Sequence, residues 1–222
     1  MSVTSADAAA SLASPQPLER SFFERTTDEV ARDLLGVWVV RSTTEGLSGG
    51  PIVETEAYGG PEDLASHARA GLTRRTTPMF GEAGHAYVYL VYGMHECLNV
   101  VAYSGAAAGA VLIRAIAPVL GVDEIRRRRG RPTDPTDRLC SGPAMLCQGL
   151  AVDRSLNGHD LTLGEGLWLA RMESDSGVRV QPETQIESGP RVGVDYAGAW
   201  AASPWRFWLA GNRSVSRPGP RQ

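Results

Sequence analysis

A chain of 222 residues, 42% hydrophobic and 21% charged, is long enough to bury a sizeable core without staples, and a net charge of −3 excludes a protein that is basic all over. No apolar run approaches the ~20 residues of a membrane-spanning helix, and the opening MSVTSADAAASLASPQPLER has neither the basic start nor the apolar stretch of a secretory signal. All 22 basic residues are arginine, which excludes lysine-based covalent catalysis and leaves only the terminal amine for Schiff-base chemistry.

The first 17 residues and the last ten, 213–222, read as tails, with one folded unit over 18–212. TTDEVARDLLG predicts a short helix, with Thr26 and Glu29 at capping-box spacing and Gly36 as its stop. VWVVR (37–41) is a strand, the Gly49-Gly50-Pro51 stretch a turn, and IVETEAY (52–58) a second strand. GGPEDLASHARAG is a loop passing into a short helix with Pro61 near its first turn. Strands follow at about 86–92, 97–103 and 110–117. VDEIRRRR is helical, SGPAMLCQGLAV a buried helix, and LWLARM and PWRFWLAG contain late strands. Strand-rich stretches interrupted by a few helices predict an α+β domain with a largely antiparallel sheet. Three cysteines (Cys97, Cys140, Cys147) without C-x-x-C spacing fit a reducing, cytoplasmic compartment.

Within IVETEAY, period-two alternation places Ile52, Glu54, Glu56 and Tyr58 on one face and Val53, Thr55 and Ala57 on the other. Two carboxylates about 7 Å apart along a strand suit a catalytic pair, a metal site or a solvated edge. His67 adds a third polar group, but the spacing matches no metal motif, and no metal is expected. In AVLIRAIA, Arg114 shares a face with Ala110, Leu112 and Ile116, so its guanidinium needs a partner, Glu54 or Glu56. Seven arginines against four acids between 114 and 138 make either a solvated helix end or a local polyanion site. In YVYLVYGMHECLN, Tyr92 ends an otherwise aliphatic row beside a Gly93-Met94 turn, an odd place for a large phenol.

These segments (ETEAYGGPEDLASHA, MF, YVYLVYGMHECLN, LIRA, CSGPAMLCQGL and RVGVDYAGAWAASPWRFW) together resemble the alkyladenine (3-methylpurine) DNA glycosylase family, in family order and over about 20–210. The resemblance implies a single mixed domain with a curved antiparallel sheet and a protruding β-hairpin that intercalates into DNA. It implies a monomer, outside membranes, that acts on damaged double-stranded DNA without metal or organic cofactor. The activity implied is excision of alkylated or deaminated purines (3-methyladenine, 7-methylguanine, hypoxanthine, ethenoadenine) by water, with no lyase step. Glu56 matches the catalytic glutamate and Arg114 the arginine that positions it. Tyr58 and His67 match one wall of the base pocket and Tyr89 the other. Asn99 matches the residue that rejects normal guanine, and Leu112 an aliphatic pocket residue. Tyr92 matches the wedge that fills the vacated stack, and Met94 its support. Glu54 is given a structural role. The sequence departs from its relatives at Met145, where lysine is common, and at His95-Glu96, where an aromatic is common; Arg126–Arg129 either compensates for the lost positive charge or simply faces solvent. A catalytically silent DNA-binding module on the same fold, or a sugar or nucleoside hydrolase using Glu54 and Glu56 as acid and base, are the competing readings.

Overall fold

The computed structural model describes residues 15–103, 108–172 and 185–216. Helix α1 (Thr27–Asp33) starts where the capping box places it, with the Thr26 N–H and hydroxyl donating to Glu29 Oε2 at 3.2 and 2.6 Å. Val30 and Ala31 turn inward, and the Thr55 hydroxyl donates to the Ala31 carbonyl at 2.7 Å. That bond ties the helix to the strand carrying both candidate carboxylates.

The strands are β1 (Gln16–Pro17), β2 (Trp38–Thr43), β3 (Gly46–Tyr58), β4 (Ala86–Val91), β5 (His95–Val101), β6 (Ala110–Ile116), β7 (Leu167–Arg171), β8 (Ile186–Gly189) and β9 (Arg206–Leu209). They form one curled sheet in the order β1-β7-β2-β3-β6-β5-β4, with β9 paired to β3 and to β8. Every pairing among the described residues is antiparallel, so the α+β expectation holds. Helices α2 (Val122–Arg129) and α3 (Pro143–Gly149) complete the fold. Ile125, Leu146 and Leu150 pack with Val30, Leu34, Ile52, Val100 and Ile113 in the main core. Among the described residues, no helix is long and apolar enough to cross a membrane.

Two details of β3 differ from the sequence reading. The Gly49-Gly50-Pro51 stretch is not a turn but the middle of β3, and the reversal occurs at 44–45, between the paired Thr43 and Gly46. The glycines serve close approach of backbones: a Cβ on Gly49 would lie 2.1 Å from the Val39 carbonyl oxygen, and one on Gly50 1.9 Å from that of Ala117. Second, the alternation is broken. Register shifts between Ile52 and Glu54, and again between Glu54 and Thr55, leave Val53 extra on β3 and Arg114 extra on β6. The bulges compensate each other but move Ile52 and Ile116 into the main core, away from the face that Glu54, Glu56 and Arg114 occupy. Val53 joins Ala115, Trp208 and Val215 instead.

Pro61 lies in a turn well before the short 3-10 helix His67–Ala70, which Ser66 caps. The folded unit also reaches further than 18–212. Gln16 and Pro17 pair with Arg171 and Ala170, and Val215 is buried. Residues 1–14 and 217–222 lie outside the described part.

Candidate active site

Register explains how residues far apart in the chain meet. Arg206 on β9 stands opposite Glu56 on β3, Glu56 opposite Leu112 on β6, Leu112 opposite Asn99 on β5, and Asn99 opposite Tyr87 on β4. Directly opposed residues of antiparallel strands project to one face. Five strands thus deliver one row of side chains, with Glu56 within it.

Both carboxylates are fully buried, and Arg114 bridges them, its Nε 2.7 Å from Glu54 Oε1 and its Nη1 3.1 Å from Glu56 Oε2. Glu54 Oε1 also accepts from Arg206 Nε at 2.8 Å, and its Oε2 from the Ser216 N–H at 2.7 Å. The Ser216 hydroxyl lies 3.2 Å from Arg114 Nη2. Burial works against the Glu54 charge, but Arg114, Ser216 and Arg206 outweigh it and hold the carboxyl below its usual range. Burial likewise opposes the Arg114 charge, and Glu56 and Glu54 reverse that and raise its pKa above the ordinary value. Two carboxylates and two guanidiniums cancel, the condition on which a buried charge cluster is tolerable. Glu54 takes three donors, two of them the guanidiniums of Arg114 and Arg206. Glu56 shares Arg114 but has two further partners of its own: the Tyr58 hydroxyl donates to Oε2 at 2.8 Å and the Val192 N–H to Oε1 at 2.7 Å. Burial and the nearby Glu56 charge push the Tyr58 phenol well above its usual pKa, so it stays a donor.

The aromatic residues gather beside this carboxylate. His67 packs edge-on against Tyr89, ring centroids 4.6 Å apart, and its Nδ1 lies 3.0 Å from the Tyr87 hydroxyl. His67 and Tyr89 are therefore in direct ring contact. Arg75 lies over the Tyr89 ring at 5.2 Å. Asn99 is pinned by its Nδ2 donating to the Tyr87 carbonyl at 2.9 Å. Burial, helped by Arg75, lowers the His67 pKa from 6.5 to about 4, so the ring is neutral at physiological pH. The linkage has a definite sign. Between pH 6.5 and about 4 the unfolded chain takes the proton first, so stability falls as pH drops through that window. We expect His67→Gln to lose less stability than the parent over this range, measured as the urea midpoint against pH.

Tyr92 and Met94 project from the β4–β5 hairpin, 89% and 70% exposed. The turn begins one residue earlier than Gly93-Met94: Tyr92 and Gly93 both have positive φ, 52° and 72°, and the Met94 N–H returns to the Val91 carbonyl at 3.2 Å. The connection between the paired Val91 and His95 is three residues long, and positive φ suits glycine or asparagine far better than a bulky side chain. A tyrosine there is held against its backbone preference. Behind the tip, the Glu96 carboxylate accepts from Arg154 Nε at 3.2 Å. The arginine run finds partners inside the protein: Arg127 and Arg128 bond Glu45, Arg126 bonds Thr136, and Arg129 bonds Gln148.

Comparison with known proteins bears on this arrangement directly. The profile of the methylpurine-DNA glycosylase family matches residues 21–213. The chain belongs to that family. A relative from Myxococcus xanthus is 45% identical over 203 residues, covering 91% of this chain and 95% of its own. One from Rubrobacter xylanophilus is 48% identical over 190 residues, covering 86% and 91%. One from Methanocella arvoryzae is 43% identical over 203 residues, covering 91% and 97%. All three are provisionally named 3-methyladenine DNA glycosylases.

Membership of the methylpurine-DNA glycosylase family makes the chain a DNA glycosylase, a hydrolase of N-glycosyl bonds acting in DNA repair. Several groups around Glu56 escape a reading of this family's motifs in the sequence. Arg206, Ser216 and the backbone of Val192 complete the carboxylate cluster, and Asp63 and Arg191 stand behind it. A backbone N–H carries no residue-type signature, and these groups are distant in sequence. The buried PWRFW and PRVGV arginines were the available signal, since a guanidinium amid apolar residues demands a carboxylate.

Proposed function

We propose that this protein is a monofunctional glycosylase that extrudes alkylated or deaminated purines from duplex DNA and hydrolyses their N-glycosidic bond with water. The observation that carries the reading is Glu56: fully buried, yet held by Arg114, the Tyr58 hydroxyl and the Val192 N–H. A carboxylate so fixed is preorganised to stabilise the oxocarbenium-like charge that develops on the deoxyribose as the base leaves. It also serves as the base for the attacking water. A cationic alkylated purine is already a good leaving group, and the π-faces of Tyr58 and Tyr89 offer it cation–π attraction of about 0.5–2 kcal/mol. Tyr92 fills the gap in the stack when the nucleotide swings out, a movement that costs a few kcal/mol. Asn99 guards against normal guanine, and Leu112, opposite both Glu56 and Asn99 in register, is an aliphatic pocket residue.

A silent binding module has no use for an aligned buried carboxylate, and a Glu54–Glu56 acid/base pair is disfavoured because both carboxylates lie on one strand and are bridged by one guanidinium, whereas such pairs flank the scissile bond from opposite sides. The test is a panel of duplexes, each bearing one modified purine, assayed for released base with borohydride present in parallel. Free base with no trapped protein–DNA adduct is expected, because the chain has no lysine. Intact glycosidic bonds across the panel would overturn the reading, and a trapped adduct would overturn the water mechanism.

A further inference from the structure

A second buried ion pair lies behind Glu56. The Arg191 side chain is wholly enclosed and that of Asp63 nearly so, at 1% exposure. Arg191 grips Asp63 with both terminal nitrogens, Nη1 at 2.5 Å from Oδ2 and Nη2 at 2.9 Å from Oδ1. The same nitrogens donate to the carbonyls of Ala57 at 2.9 Å and Trp200 at 3.2 Å. The guanidinium is in cation–π contact with two rings, 4.9 Å from the centre of Tyr58 and 5.1 Å from that of Trp205. Asp63 in turn accepts from the N–H groups of Gly59 at 3.0 Å and Ala65 at 2.9 Å.

Burying such a pair is costly and is weak evidence for stability. Its placement suggests a different use. Arg191 makes its hydrogen bonds and ion pair to Asp63, Ala57 and Trp200 rather than to Glu56, yet it adjoins both of that residue's uncharged donors. The Val192 N–H that meets Glu56 Oε1 belongs to the peptide that Arg191 itself begins, and the phenol that meets Oε2 is on the ring beside the guanidinium. We propose that Arg191, clamped by Asp63, is the positioning residue for Glu56, setting the orientation of both carboxylate oxygens through two separate routes. This rests on the glycosylase reading above. Its consequence is kinetic: loosening the clamp misplaces Glu56 while leaving the hairpin and the DNA-facing surface as they were.

Arg191→Lys keeps a charge but loses the planar fork that grips both Asp63 oxygens. With a duplex bearing the lesion that the parent protein excises fastest, we expect its single-turnover rate at saturating enzyme to fall roughly 10²-fold, the scale set by small misplacements of catalytic groups. Affinity for the same duplex carrying an uncleavable abasic-site analogue is expected to be unchanged. Tyr58→Phe removes one of the two routes, so combining it with Arg191→Lys is expected to cost less than the product of the single losses. Asp63→Asn provides the same comparison if Arg191→Lys does not fold. An unchanged rate in a folded variant, losses that multiply, or a fall in affinity matching the fall in rate would each overturn the assignment. Excision by the parent and none by Glu56→Gln keep this test separate from that of the glycosylase reading: if the parent releases no base, the earlier reading fails; if only the clamp variants behave like the parent, this one does.

Discussion

Glu56→Gln is expected to slow base release by on the order of 10³-fold or more, the combined scale of losing a general base and an electrostatic stabiliser. The change is nearly isosteric, so the pocket keeps its shape and lesion-bearing duplex still binds. What changes is the charge balance. Glu54 then faces both Arg114 and Arg206 alone, leaving one buried positive charge uncompensated beside the site where positive charge must develop on the sugar. The amide also cannot accept at both ends. With Tyr58, Arg114 and the Val192 N–H all donating, its NH₂ group must meet one of those donors. Each buried donor left without a partner costs about 1–3 kcal/mol, so a lower melting temperature should accompany the catalytic loss. Single-turnover base release, with binding measured on the same variant, separates the effects. Undiminished release would remove Glu56 from the mechanism.

The extent to which this site is legible in the sequence follows from the range of each interaction. Glu54, Glu56 and Tyr58 share a face by strand alternation, and Arg114 within an apolar strand demands a carboxylate, so the heart of the cluster can be read locally. The structure gives Arg114 both candidates at once. Ile52 and Ile116 were misplaced because two compensating bulges break the alternation, and a bulge depends on the partner strand. The Gly49-Gly50 pair looks like a turn because glycine permits either a reversal or a close approach, and only the neighbouring backbones decide between them. Arg191 and Asp63 are 128 residues apart, so nothing near either one announces the pair. Ser216 illustrates a different limit: a short polar segment near a chain end resembles a tail, yet its N–H caps a buried carboxylate.

The hairpin tip separates stability from activity most cleanly. Tyr92 has a φ of 52° and is followed by Gly93 at 72°, a geometry in which asparagine is favoured and a bulky residue is strained. Tyr92→Asn should relieve about 1 kcal/mol of that strain. For a domain of this size that raises the melting temperature by roughly 2–4 °C. The same change removes the ring that would occupy the vacated stack, a contact worth roughly 1–3 kcal/mol per base. Excision of a lesion paired in duplex DNA should therefore drop about 5- to 150-fold, while the same lesion in a single strand, which has no stack to refill, is processed nearly as before. A variant that is more stable and less active is what strain retained for function produces, whereas a tyrosine of purely structural value would lose both together. Thermal unfolding and single-turnover excision on paired and single-stranded substrates give the three readings. Equal losses on the two substrates would count against the wedge, and a fall in melting temperature would show that the tyrosine supports the turn rather than straining it.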